Sequence, residues 1–324
     1  MRWWSVWTLV AVLGCGGDDA AAPTVAGSSG AVDPDSTSGM QTTGSGAAGS
    51  DVSGEPSTST AADVTSGVTQ GSDSSGGDAG TTGAPDLLLP PPGVLLDYQL
   101  GGAYEPPAGV QVVSRDRTAT PAPGLYNICY VNGYQTQPNE EQWWLDEHPE
   151  LLLRDEDGSP FIDPDWNEIL LDITTPRNRA ALADIVGDWM DGCGDAGFDA
   201  IEIDNLDTYA RSDGLISQDD AVAFMALLSA RAHAAGLAIA QKNSTEIADR
   251  QPEMGTDFAV AEECNRWSEC QDYKDVYGEL VYVIEYRAQD FEAGCSAFPE
   301  LSTVLRDLNL VTPEDGAYVY ETCS

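Results

Sequence analysis

From residue 93 onward, short runs of β-branched and aromatic residues recur between stretches with helical spacing, and this alternation is what most constrains the fold. Repeated strand–helix units assemble with their strands parallel and their helices outside. Eight strands are expected, at 95–100, 110–113, 125–131, 200–203, 237–241, 258–261, 281–284 and 318–320. Helices are clearest at 175–193, with Leu182, Ile185, Val186 and Trp189 on one stripe, and at 217–235. Ser217 with Asp220 three residues on is a helix-start signature, and Gly236 follows the second helix as a stop. Together these elements predict an α/β fold, a (β/α)8 TIM barrel. The loops between the first strands leave little room for helices, so the barrel is expected to be irregular there.

In such a barrel, residues at the C-terminal ends of strands face a common mouth. The stretch Gly197-Phe-Asp-Ala-Ile-Glu-Ile-Asp-Asn-Leu-Asp-Thr-Tyr209 shows the pattern: a helix-closing glycine, a β-branched run, then Asp204, Asn205 and Asp207. Taken alone, Asp204-Asn205 could equally begin a turn. Other strand ends repeat the chemistry, however. Lys242-Asn243 follows the fifth strand, Glu262-Glu263 the sixth, and Glu285-Tyr286 the seventh.

Three segments are expected. Residues 1–15 read as a signal peptide: Arg2, an apolar run too short to span a bilayer, then Gly14-Cys15. A small residue before that cysteine is similar to a bacterial lipoprotein cleavage site, which would leave Cys15 lipidated; ordinary secretion is the alternative. Residues 16–86 contain no Lys, Arg or aromatic residue and read as a disordered Gly/Ser/Thr/Asp-rich linker. As a random coil it would span roughly 45 Å. Residues 87–324 are long enough for one barrel domain.

The formal net charge is −40, and the linker holds only ten of the 54 acidic residues. An acidic field of this strength repels nucleic acid and anionic membrane and attracts cationic ligands; solubility is the competing explanation. Contact with membrane is expected through the lipid anchor alone. Beyond Cys15 there are six cysteines, an even number that in an exported domain favours disulfides. Their short separation makes Cys264 with Cys270 the first expected pair.

Only two histidines occur, His148 in a loop and His233 within a helix, so a nucleophile–histidine mechanism has no evident base. No phosphate-binding loop is present, and no cofactor is expected. Two carboxylates across a barrel mouth are the minimum apparatus for glycoside hydrolysis, one as nucleophile or base and one as proton donor. A divalent-metal site would use similar oxygen ligands, but no histidine or Asp-x-Asp pattern accompanies these acids, and no metal is assigned. The segment 132–168 carries Tyr134, Trp143, Trp144, Phe161 and Trp166. These either stack on sugar rings at the rim or pack the loop onto the barrel.

An ordered set of motifs carries a family resemblance: Asp97-Tyr-Gln-Leu-Gly-Gly, Ile128-Cys-Tyr, the 197–207 stretch, Ala235-Gly-Leu with Lys242-Asn243, Glu262-Glu-Cys with Glu269-Cys270, and Glu285-Tyr286. Over about 93–323 the chain resembles glycoside hydrolase family 114, the endo-α-1,4-polygalactosaminidase-type TIM barrels. The resemblance implies Asp204 as nucleophile and Glu262 as acid/base, with Glu263 as replacement if the register is off by one. It implies an α-linked, galactosamine-rich polysaccharide as substrate, and places Asp97, Tyr98, Asn205, Asp207, Lys242, Asn243, Glu285 and Tyr286 around the subsites. Ala261 departs from the family's frequent Asn, the stretch from Val110 to Tyr126 is short, and the loop after the third strand diverges. Arg115 and Arg117 could bind an acidic sugar or pair with surface acids. A non-catalytic carbohydrate-binding protein on the same barrel is the alternative to a hydrolase.

Overall fold

The computed structural model describes residues 87–323; the expected signal peptide, Cys15 and linker lie outside the described residues. In chain order the elements begin with β1 (Leu95–Gln99), β2 (Val110–Asp116), β3 (Tyr126–Asn132), α1 (Glu141–Glu147), α2 (Pro176–Ala196), β4 (Ala200–Asp204) and α3 (Thr208–Arg211). They continue with α4 (Gln218–Ala234), β5 (Ala238–Lys242), α5 (Gln251–Met254), β6 (Phe258–Glu262), α6 (Cys264–Trp267) and α7 (Cys270–Tyr277). The last are β7 (Val281–Glu285), α8 (Ala288–Ala297), β8 (Ser302–Arg306) and β9 (Tyr320–Thr322). Strands β1 to β8 pair in sequence order, all parallel. The result is a nearly closed, TIM-like barrel. As expected, β1–β2 and β2–β3 are joined without a helix.

One strand differs from expectation. The eighth barrel strand is Ser302–Arg306, and the run at 318–320 leads instead into β9, which pairs antiparallel with β8. Ser-Thr-Val-Leu-Arg lacks an apolar run, yet all five residues are buried by tertiary contacts. Ser302 Oγ accepts the Val94 N–H at 3.0 Å. The Arg306 guanidinium donates to the carbonyls of Tyr98, Val311 and Val319 and pairs with Asp97 at 3.2 Å. The Tyr320 hydroxyl reaches the Leu96 carbonyl, so β9 helps cover the seam between β1 and β8.

Strand side chains alternate between two faces, and here the alternation sorts two packed layers. Leu96, Val112, Ile128, Ala200, Ala240, Val260, Ile284 and Val304 form an inner cluster. Small residues such as Ala200 and Ala240 sit opposite large ones such as Phe258 and Tyr282, filling the barrel. Ile201, Ile203 and Ile239 face outward onto Leu182, Val186 and Phe224 of the helices. Both clear helices begin with a side-chain cap. Thr175 accepts the Asn178 N–H, and Ser217 and Asp220 form a reciprocal capping box. Gly197, at φ 97°, closes α2 in the left-handed conformation that glycine takes without a Cβ clash.

Three disulfides staple the barrel. Cys129–Cys193 joins β3 to α2, Cys264–Cys270 joins α6 to α7 as expected, and Cys295–Cys323 ties α8 to the segment after β9. Such bonds persist in oxidising compartments, which fits an extracytoplasmic location.

Candidate active site

The inner-face parity dictates what reaches the mouth. Tyr98 follows Leu96, Ser114 follows Val112, Tyr130 follows Ile128, and Glu202 and Asp204 follow Ala200. On the same parity lie Lys242 of β5, Glu262 of β6 and, just beyond β7, Tyr286. These side chains converge on one ammonium group. Lys242, 2 % exposed, places Nζ 3.0 Å from Glu202 Oε1, 3.2 Å from Asp204 Oδ1 and 3.1 Å from Glu262 Oε2. Nζ also lies 3.0 Å from the Tyr98 hydroxyl. Where three carboxylates meet, the cation is supplied by the protein itself.

Each carboxylate has its own second set of partners. Glu202 is fully buried and accepts the Tyr98 hydroxyl at 2.5 Å and the Ser114 hydroxyl at 2.8 Å. Asp204 accepts the Tyr130 hydroxyl at 2.8 Å. Glu262 accepts the Tyr286 hydroxyl and, at 3.4 Å, the Asn243 side-chain amide. The Asn243 side-chain oxygen Oδ1 in turn accepts the Glu262 backbone N–H at 2.8 Å, fixing the strand end. Asp204 and Glu262 keep 20 % and 23 % of their side-chain surface open, whereas Glu202 has none. Two carboxylates therefore face the mouth, and the third anchors the lysine beneath them.

Burial alone would raise the Asp204 carboxyl. The Lys242 charge, the Tyr130 hydroxyl and the Asn205 backbone N–H outweigh it and hold the group below its ordinary value. Burial also disfavours the Lys242 ammonium, but Asp204 and Glu262 reverse the balance and push it well above the usual lysine range. Lys242 is thus a permanent cation and Asp204 a permanent anion at neutral pH.

The residue after each of three site strands adopts a left-handed backbone: Asn205 at φ 66°, Asn243 at 49° and Glu263 at 57°. Asparagine tolerates this region; glutamate enters it rarely. The sharp exit leaves the preceding Asp204, Lys242 and Glu262 at the strand tips. Asn205 is itself buried, donating to Asn132 at 2.9 Å and accepting from Arg211 at 3.1 Å. Beside Asp204 a cleft of about 380 Å³ opens, lined by Tyr130, Asn132, Trp166, Glu168, Asp204 and Asn205. Glu168 accepts from Gln135 at 2.6 Å and from Asn132 at 3.1 Å, both on Oε2. Burial pushes its carboxyl up to about 7 despite these donors.

A family model for glycoside hydrolase family GH114 matches residues 77–324. The chain belongs to glycoside hydrolase family GH114. The barrel is similar to the crystal structure of Aspergillus fumigatus Ega3 in complex with galactosamine: 22 % identity, a TM-score of 0.57, and coverage of 73 % of this chain and 98 % of that one. It is also similar to a variant of the PelA glycoside hydrolase domain from Pseudomonas aeruginosa. There the identity is 13 % and the TM-score 0.50, over 69 % of this chain and 97 % of that one. At these identities the two structures show the fold. No curated protein sequence matches the chain.

Within this GH114 barrel, Asp204, Glu262, Tyr98, Lys242, Asn243 and Tyr286 come together, with Asn205 supporting the cleft wall. Three expected subsite residues do not join them. Asp97, on the opposite parity from Tyr98, is buried at the seam with Arg306, Gln99 and Tyr104. Glu285, one residue off the inner face, points between β7 and α6, where Oε1 accepts the Asn265 N–H at 2.9 Å. Asp207 forms an ion pair with Arg211 on the short helix α3. Glu263 binds Arg266 at 2.6 Å and leaves the mouth to Glu262. Of the two arginines, Arg117 pairs with Glu140, while buried Arg115 holds Gln99 and the carbonyls of Tyr104 and Thr120.

Glu202, Tyr130 and Glu168 were not singled out from sequence. For Glu202 a signal existed: a lone glutamate inside an apolar strand must find a buried partner. The closest grouping of metal-type donors among the described residues is Cys264, Cys270 and Glu285. Its two sulfurs are joined in a disulfide and offer no thiolate.

Proposed function

We propose that the domain hydrolyses an α-linked, galactosamine-containing polysaccharide, in endo fashion, with Asp204 as nucleophile and Glu262 as acid/base. The observation that carries this reading is the shared lysine. Asp204 and Glu262 stand at inner-face strand tips, both partly exposed at the barrel mouth, and each lies within 3.2 Å of Lys242 Nζ. Those two oxygens can be no farther apart than twice that distance. That ceiling is compatible with the close carboxyl spacing of retaining glycosidases, about 5–5.5 Å, and the reading takes the retaining route.

In the first step Asp204, kept ionised by Lys242 and Tyr130, attacks the anomeric carbon while Glu262 protonates the departing oxygen. In the second, Glu262 removes a proton from the water that releases the sugar. Tyr286 and Asn243 orient Glu262 throughout. Galactosamine is the sugar in the Ega3 complex, and the excess of acid over base in this chain favours a cationic polymer. Export and lipidation at Cys15, as a bacterial cell-envelope lipoprotein, complete the reading. Fatty-acid labelling that is lost in Cys15→Ser tests the anchor.

The enzymatic test is reducing-end release from deacetylated and acetylated galactosaminogalactan by wild type, Asp204→Asn and Glu262→Gln, with and without chelator. Cleavage by wild type alone, unaffected by chelator, is the expected result. Retention on the polymer without cleavage would replace the hydrolase with a carbohydrate-binding protein.

A further inference from the structure

The cleft beside Asp204 contains a carboxylate whose charge the protein leaves unanswered. Three acids line it: Asp116, Glu168 and Asp204. Asp204 is paired with Lys242. Asp116 has both oxygens engaged, Oδ1 by the Thr118 hydroxyl at 2.5 Å and Oδ2 by the Gln137 amide at 3.3 Å. Glu168 differs from both. Its two amide donors share Oε2, and among the described residues neither a hydrogen-bond donor nor a cation meets Oε1. Nearby Arg211 is already committed to Asp163 and Asp207.

The hairpin that carries Glu168, closed by the antiparallel Ile162–Ile169 bridge, presents an unpartnered aromatic face. Bridges pair Arg154 with Pro160 and Ile162 with Ile169, and Asn167, at φ 57°, turns the tip. The tip is held from below by fully buried Asp163, which accepts the backbone N–H groups of Asp165 and Trp166 as well as Arg211. Elsewhere on this long segment the aromatics have ring partners: Tyr134 meets Phe224, and Trp143, itself part-exposed, and Trp144 meet each other, His148 and Trp189. Trp166 has no ring partner among the described residues, is 51 % exposed, and lines the cleft two residues from Glu168.

A flat apolar face beside a carboxyl group with one free oxygen fits a sugar ring that carries an ammonium group, whose approach favours the ionised carboxylate. We propose that Trp166 and Glu168 form an amino-sugar subsite beside Asp204, with the indole stacking on the ring and Glu168 Oε1 receiving the ammonium. The site deepens the polysaccharide-hydrolase reading and rests on it for the polymer, but its test does not depend on turnover. Glu168 reads the amine; Trp166 reads only the ring.

The test is calorimetric titration of the full chain with galactosamine and with galactose, which lacks the amine. Wild type is expected to bind galactosamine at least tenfold more tightly. In Glu168→Gln, an isosteric change that keeps the amide contacts, galactosamine alone weakens and the ratio falls below twofold. In Trp166→Ala both sugars weaken together and the ratio persists. The proposal is overturned if wild type shows no preference, if Glu168→Gln retains it, or if Glu168→Gln weakens both sugars alike. Loss of polymer hydrolysis with these binding ratios intact would refute the enzymatic reading and leave the subsite standing.

Discussion

Replacing Lys242 with methionine removes one cation from three carboxylates at once, and the consequence can be worked from the geometry. At 3.0–3.2 Å each pair attracts by about 5 kcal/mol at an effective dielectric near 20. Much of that attraction offsets the desolvation of the charges, and breaking such a buried pair typically costs about 3–5 kcal/mol. Lys242→Met is expected to lose that amount at pH 8, most of it through Glu202, which has no exposed surface.

The pH dependence has a definite sign. In wild type Asp204 is held below its ordinary value, so its contribution is present above the unfolded carboxylate range, near pH 4, and is lost as pH falls through the lower folded value. Without the ammonium, burial governs: the Asp204 carboxyl rises, and that of Glu202, which burial already holds above its ordinary value in wild type, rises further. The variant then loses stability as pH increases through those raised values. Urea unfolding followed by far-UV circular dichroism, disulfides intact, is the assay. The deficit relative to wild type should be smaller at pH 5 than at pH 8. Adding Glu202→Gln should recover at least about 1 kcal/mol, because one buried charge is gone. A deficit below about 1 kcal/mol, or one equal at both pH values, would refute the reasoning.

Three other expectations concern Glu285, the disulfides and Tyr130. Glu285 is fully buried with Oε2 unbonded among the described residues, and burial pushes its carboxyl up to about 7. Folding stability attributable to it should therefore fall as pH rises from about 4.5 to about 7, and Glu285→Gln should be more stable than wild type at pH 8 by about 1–3 kcal/mol and show little gain at pH 4.5. Opening Cys129–Cys193 by a double alanine substitution releases a closed loop with a sequence separation of 64. It should cost about 4 kcal/mol by loop entropy, against about 2 kcal/mol for Cys264–Cys270, both measured by urea midpoints. Tyr130→Phe removes a hydroxyl donor from Asp204, and the acid limb of the pH–rate profile should move upward.

Most barrel strands were legible because they are short, near-continuous apolar runs, as strands buried on both faces must be. The eighth was not, since Ser302 and Arg306 are buried by partners far along the chain, at Val94, Tyr98 and Val319. Strand-end position identified Asp204, Lys242 and Glu262 as candidates, but position alone could not separate Tyr98 from Asp97, or Tyr286 from Glu285. Parity relative to neighbouring inner residues separates them, and a one-residue shift moves a carboxylate from the mouth to the outer layer. Asp207 is placed differently: it pairs with Arg211 at the other end of the short helix α3. Glu168 was hidden because it lies on a hairpin whose alignment to the cleft depends on the Asp163–Arg211 pair 48 residues apart in sequence.

In the proposed reaction Asp204 attacks the sugar directly while Glu262 serves as acid and then base. Proton NMR of the first-formed reducing end, recorded before mutarotation, tests it most directly. Wild type is expected to release the α-anomer from its α-linked substrate, and Asp204→Asn to release none. Release of the β-anomer, or cleavage that survives in Asp204→Asn, would contradict it.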